Sequence, residues 1–382
     1  MIKVRTTWIA ADQIISPLGM TAEENYRAVR DGRTGISLVE NSVYSKEPIY
    51  LGKLYDAPFM MGENKLKGYT RFETLVILSI QDVLQKTALD PASPKVVFIL
   101  STTKGNIDLM EQGNRESHHI RLPETARTIS NFFENPNAPL VVSNACVSGV
   151  TAMLLGKQLL EGGHYDHAVI TGADILSRFV VSGFQSLSAL SPEPCRPFDS
   201  KRRGTTLGEA VGTVVLTSDP GKIGVEPKIQ ILGGGLSNDA NHISGPSRTG
   251  EELGMAIQRA IREAGIRKEE IDFISAHGTA TLFNDEMEAK AFNLCGLKET
   301  PLNSLKGNFG HTLGAAGVVE TVVSIHALLN NELMPTLGFE TLGVSVPINI
   351  KSQWESLRLK TCLKTASGFG GCNAAMVLRK TG

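Results

Sequence analysis

The chain has 382 residues but only five cysteines, Cys146, Cys195, Cys295, Cys362 and Cys372, scattered and without a Cys-x-x-Cys pair. That pattern excludes a disulfide scaffold or structural zinc site and makes a reduced, cytoplasmic setting the expectation. An excess of charge of one sign is also missing. Lys+Arg number 38 against 39 Asp+Glu, a net charge of −1, which removes the electrostatic footprint of a nucleic-acid or membrane-surface protein. No apolar run reaches the length expected of a bilayer-spanning helix, so no membrane span is expected. The opening Met1-Ile2-Lys3-Val4-Arg5 lacks the apolar stretch of a signal peptide. There is no low-complexity tract, no short repeat, no phosphate loop ending in Gly-Lys-Ser/Thr, and no dinucleotide fingerprint.

What is present describes a folded chain of mixed structure. Hydrophobic residues at 41% and charged residues at 20% exclude disorder over most of the length. The length calls for two domains or one large body built from two halves. Strand candidates are Val96–Leu100, Leu140–Ser143, Ala168–Thr171, Thr213–Leu216, Ile271–Ile274 and Ala374–Leu378. Such runs suit strands buried on both faces. Thr21 with Glu24, Thr70 with Glu73, and Thr249 with Glu252 read as capping boxes that open helices, with Gly32 and Gly265 as stops. Alternating strands and helices indicate α/β layers. The turn-rich stretch from Asp219 to Lys228 is the best internal boundary, giving halves 1–224 and 225–382.

The passage from Leu140 to Gly149 runs from a strand through a tight turn into a helix, Cys146 to about Glu161, whose apolar residues cover most of its circumference. That helix should be central and buried. A cysteine at its N-terminus meets the positive dipole end and free N–H groups, which favour the nucleophilic thiolate. A small buried apolar residue is the alternative, and the segment alone leaves both open. His277 follows a buried strand, where α/β sheets bind ligands. Lys306 and His311 lie five residues apart in a glycine-rich turn, ahead of Gly314-Ala315-Ala316-Gly317, a small-residue helix start suited to close packing. Each histidine alone reads equally as structural. The loop Ser367-Gly368-Phe369-Gly370-Gly371-Cys372-Asn373 can aim backbone N–H groups at a developing oxyanion. His118, His119, His164 and His167 lack companions and read as structural.

Taken in order, these residues resemble the β-ketoacyl synthases, in the elongating class with a Cys-His-His site. The resemblance rests on Asn144-Ala145-Cys146, Pro197-Phe198-Asp199 with Arg202, Gly208-Glu209, His277-Gly278-Thr279, Lys306, Gly310-His311, Gly314-Ala315-Ala316-Gly317 and Gly368-Phe369-Gly370-Gly371. It implies an α/β thiolase-like fold of two similar βαβ-rich halves in a five-layer αβαβα arrangement, and a homodimer, with a heterodimer as the variant. It implies decarboxylative Claisen condensation: Cys146 takes an acyl chain from acyl carrier protein and malonyl carrier protein supplies the attacking enolate. His277 and His311 would stabilise the enolate, with Lys306 holding their electrostatics. The amides of Cys146 and Phe369 would form an oxyanion hole, Glu320 would support the site, and Phe369 would gate it. Thr279 and Thr281 would contact the pantetheine arm. No metal and no resident cofactor are expected, since phosphopantetheine arrives on the carrier. Lys201-Arg202-Arg203 is a candidate docking patch for that acidic partner. A non-catalytic chain-length-determining partner subunit is the alternative function. Departures from the family pattern are Val147, Ser367, Gly204-Thr205-Thr206, Ala210-Val211 and Asn284.

Overall fold

The computed structural model describes residues 5–40, 42–55, 66–240 and 245–382. Five strands of the first half are β1 (Trp8–Ile15), β2 (Val96–Ser101), β3 (Leu140–Val142), β4 (His167–Asp174) and β5 (Ala210–Thr217). Their spatial order is β1-β5-β4-β2-β3, with the first two pairings antiparallel and the last two parallel. The second half supplies β6 (Ile229–Asn238), β7 (Phe273–Ser275), β8 (Pro301–Asn303), β9 (Thr361–Gly368) and β10 (Cys372–Lys380). Their order, β6-β10-β9-β7-β8, repeats the first half strand for strand and direction for direction. Among the described residues the sheets join where β1 meets β6, at Trp8 with Gln230 and Ile9 with Ile229.

The main helices are α1 (Ala22–Arg30), α2 (Arg71–Gln85), α3 (Leu122–Phe132), α4 (Ser148–Glu161), α5 (Arg178–Ser186), α6 (Glu251–Ala264), α7 (Leu282–Leu294) and α8 (Ala316–Asn330). Strand alternation sorts the side chains into layers. On β2, Val97 and Ile99 face a central core with Val150, Met153, Leu154, Val318 and Val322 of α4 and α8. Val96, Phe98 and Leu100 face α2 and α3 instead. The second half behaves alike: Met376 and Leu378 point to the central helices, while Ala375 and Val377 meet α6 and α7. Burying a Val or Leu in this way contributes about 1.5–3 kcal/mol over leaving it exposed. The result is the five-layer α/β arrangement expected.

Two capping boxes form as expected, at Thr21 with Glu24 and Thr70 with Glu73. The third does not. Helix α6 is capped by Gly250 at φ 81°, with no side-chain cap. A Cβ at Gly250 would lie 2.6 Å from the Met287 carbonyl oxygen and 2.7 Å from the Ala291 nitrogen. The packing of α7 therefore sets this helix start, and the Thr249 signal is overridden. The membrane expectation also needs correction. Leu313–Asn330 is long and apolar enough to cross a bilayer by length and composition, but 83% of it is buried in the protein. Its hydropathy reflects the central layer, which has sheet on both sides.

Candidate active site

The two central helices cross at glycine. A Cβ on Gly149 would fall 2.8 Å from the Val318 nitrogen, and one on Gly317 would fall 2.5 Å from the Val150 nitrogen. This backbone-to-backbone approach brings the two helix starts together, and each is preceded by a candidate catalytic residue. Cys146 lies in the turn just before α4, one residue ahead of its N-cap Val147, rather than within the helix. Ala145 before it has φ 43°, an uncommon backbone for a residue with a side chain. Ser148 holds this bend: its Oγ accepts from the Asn144 N–H at 2.8 Å and donates to the Ala145 carbonyl at 2.6 Å.

From the other half, His311 Nε2 lies 2.9 Å from Cys146 Sγ. The Leu313 N–H donates to His311 Nδ1 at 3.3 Å. With Nδ1 accepting, the neutral ring carries its proton on Nε2 and presents a donor to the cavity. His277 stands edge-to-face with His311, ring centroids 5.2 Å apart, and donor atoms of all three residues fall within 4.8 Å of one another. Burial, reinforced by nearby lysines, holds both imidazoles well below their usual range, so they are neutral at physiological pH. Burial also pushes the Cys146 thiol up to about 12, with Lys306 pulling the other way. The resting residue is therefore a thiol, against the thiolate expected from its helix position. Desolvation outweighs the helix terminus.

Behind the histidines lies a buried charge network. Lys306 donates to the His277 carbonyl at 3.0 Å and pairs with Glu320. Glu288 of α7 accepts from the amides of His277 and Gly278 at 2.9 and 2.6 Å. Asp285, one turn earlier, accepts from the Phe198 and Ala280 amides. Between them these carboxylates pin the backbone from His277 to Ala280. Sequence reading missed Glu288 and Lys364, a second lysine whose Nζ lies 2.6 Å from Glu320. The available signals were two acids three apart on an otherwise apolar helix face, and a lysine inside an apolar run.

A cavity of about 440 Å³ opens above Cys146, His277 and His311. Thr279 and Thr281 line it, their hydroxyls 2.9 Å apart. Phe369 lines it too and packs against Phe184, the rings tilted 32° and 5.5 Å apart between centroids. Gly368 approaches so closely that a Cβ there would be 3.0 Å from the Cys146 nitrogen, which sets the Phe369 turn against the nucleophile turn. Cys372 Sγ reaches Asn144 Oδ1 at 2.8 Å across the same junction. The departures Thr205 and Ser367 are wall residues of this cavity. Of the basic trio, Arg202 is buried and donates to the carbonyls of Asp199, Gly343 and Leu282. Lys201 pairs with Glu340 at 3.2 Å, and Arg203 stands at the cavity.

A thiol and two imidazoles converging where two topologically equivalent halves meet, together with the family models that match both halves, define a condensing acyltransferase. Models of the Beta-ketoacyl synthase N-terminal and C-terminal domains match residues 8–220 and 229–340. The chain belongs to the β-ketoacyl synthase family. It is 27% identical to 3-oxoacyl-[acyl-carrier-protein] synthase 2 of Vibrio cholerae, over 96% of this chain and 97% of that one. Identity to the protein of the same name from Rhizobium meliloti is 33%, over 68% and 65% of the two chains. A chain from the complex of a ketosynthase (ApeO) with its chain length factor (ApeC) from Xenorhabdus doucetiae superposes with a TM-score of 0.88. That chain is 28% identical, with 99% of this chain and 98% of that one covered.

Proposed function

We propose that the protein is an elongating 3-oxoacyl-[acyl carrier protein] synthase of the KAS I/II type. Cys146 Sγ attacks the thioester of an acyl carrier protein, and the pantetheine thiol leaves with the proton. Malonyl carrier protein then loses carbon dioxide while His277 and His311 donate to its thioester oxygen, where negative charge develops. The enolate carbon attacks the Cys146 thioester, the carbon–sulfur bond breaks, and the 3-oxoacyl chain remains on the carrier. The amides of Cys146 and Phe369 serve the acyl-transfer oxyanions, Thr279 and Thr281 hold the pantetheine arm, and Phe369 gates the acyl pocket. The observation that carries this reading is the 2.9 Å approach of His311 Nε2 to Cys146 Sγ across the boundary of the halves.

The protein would act as a dimer, with no resident cofactor, and Arg203 at the cavity mouth meets the acidic carrier. Polar Thr205 and Ser367 in the cavity wall favour a specialised polyene or polyketide chain over primary fatty acids. The likeness to a chain of a ketosynthase–chain length factor complex favours a heterodimer for that case. The intact nucleophile and histidine pair argue that this chain is the catalytic member. The test is incubation with acyl and malonyl carrier proteins over a series of chain lengths. Wild type should form 3-oxoacyl carrier protein and Cys146→Ala none; a wild type that forms none refutes the assignment.

A further inference from the structure

Strand β9 alternates in the expected way: Cys362 and Ala366 face the central core, and Leu363 faces the outer one. Lys364 occupies the intervening central-facing position and is fully buried. An ammonium group there is costly unless it is paired and hydrogen-bonded. Its Nζ lies 2.6 Å from Glu320 Oε2 and donates to the Ser275 carbonyl at 3.1 Å. Lys306 already pairs with the other oxygen of Glu320 and holds the His277 carbonyl. One carboxylate is thus clamped between two buried ammonium groups, where a single lysine would have balanced it.

The ionisable groups around Lys364 are Glu320 of α8, Lys306 of the short Lys306–Phe309 turn, Glu288 of α7, and the two histidines. Glu288 is occupied by the amides of His277 and Gly278 and by Thr365 Oγ1. Its hydrogen bonds go to neither ammonium, so Glu288 is a more distant counter-charge to the second lysine than Glu320 is. The remaining positive charge lies behind the side of the site where the malonyl thioester oxygen becomes negative. It acts through a water-poor interior, where such a field is strong.

We propose that Lys364 is a positioning residue of the decarboxylation half-reaction: it shares Glu320 with Lys306 and sets a second buried positive charge behind His277 and His311. This rests on the reading of the site as a malonyl-decarboxylating condensation centre. Lys364 does not touch substrate. Its charge opposes protonation of the two imidazoles, so that they stay neutral, with one acceptor nitrogen each, as the pH falls, and it lowers the energy of the enolate oxyanion.

The test compares wild type with Lys364→Met, which removes the charge at similar volume, and Lys364→Arg, which keeps it. Two rates are followed from pH 5.5 to 8.5: carbon dioxide release from malonyl carrier protein, and mass gain on Cys146 from an acyl carrier protein. Lys364→Met should decarboxylate roughly tenfold more slowly at neutral pH, the scale of one buried charge acting over several ångström. Its acid limb should move toward neutrality, KM for malonyl carrier should stay, and acylation should change less than about twofold. Lys364→Arg should restore the wild-type acid limb. Lys364→Gln, which keeps a donor for Ser275, gives the same readout if the methionine variant is insoluble. A variant with the wild-type rate and profile overturns the proposal, as does an equal fall in both half-reactions with the profile unmoved. A wild type that releases no carbon dioxide overturns the functional reading itself, and the proposal with it.

Discussion

Replacing Gly317 by alanine sets two opposed effects against each other at the helix crossing. Alanine is the better helix former, a gain of at most about 1 kcal/mol. Its Cβ, however, would lie 2.5 Å from the Val150 nitrogen, 2.9 Å from the Gly149 carbonyl carbon and 3.0 Å from the Gly149 Cα. All three are backbone atoms, so no side chain can rotate away, and overpacking of this kind costs about 1–3 kcal/mol. The clash should win, for a net loss of about 1–2 kcal/mol. Relief requires α4 and α8 to part, which separates Cys146 from His311 because each residue precedes one of these helices. A displacement approaching 1 Å at reacting groups can cost about 100-fold in rate, and the shift here is a fraction of that. Cys146 acylation, timed by intact mass, should therefore slow by about tenfold, with a lower thermal midpoint in a melt at matched concentration. An unchanged or raised midpoint with normal acylation would mean that helix propensity dominates and that the crossing does not set the site geometry.

Two further outcomes follow from the same geometry. Because burial and the lysines hold His277 and His311 well below the ordinary imidazole value of 6.5, malonyl decarboxylation should be level from about pH 8 to 6.5. It should fall only in more acid solution, once the rings protonate. The unfolded chain takes up protons near 6.5 that the folded site refuses, so the contribution of these two rings to stability should decline as pH drops through that value, while Asp285, pushed up to about 7 by burial, works the other way. A rate that halves at 6.5 contradicts this. Ser148→Ala leaves the Asn144 N–H without its partner and takes one of two donors from the Ala145 carbonyl, at a cost of about 1–3 kcal/mol. It should slow acylation while sparing decarboxylation; loss of decarboxylation alone would contradict the role given to that hydroxyl.

Much of this architecture was legible because local chemistry and global fold agree. All six strand candidates lie on strands of the sheet, with shifts of up to three residues at their ends, since uninterrupted apolar runs are what burial on both faces requires. The repeated topology was legible only through the family resemblance, not in the local chemistry. Two halves can share strand order without sharing side chains, and the turn at Asp219 marks a break without saying what it separates. Strand β9 was missed because Lys364 and Thr365 interrupt its apolar run, and that interruption is itself part of the site. The Thr249 capping signal failed because contact between α6 and α7 moved the helix start onto Gly250. Cys146, His277 and His311 could be singled out one at a time by their positions at element ends. That they converge depends on Gly149 and Gly317 admitting a contact no local pattern specifies.

The most direct test of the account separates the two half-reactions at the nucleophile. In Cys146→Ala, intact mass should show no acyl adduct from an acyl carrier protein, while carbon dioxide release from malonyl carrier protein persists, because His277 and His311 do not need the thiol. Wild type should show one acyl group on Cys146 and, with malonyl carrier protein added, the 3-oxoacyl product. An acyl adduct that survives on the alanine variant, or decarboxylation that vanishes with the thiol, would contradict the division of labour between the cysteine of one half and the histidines of the other.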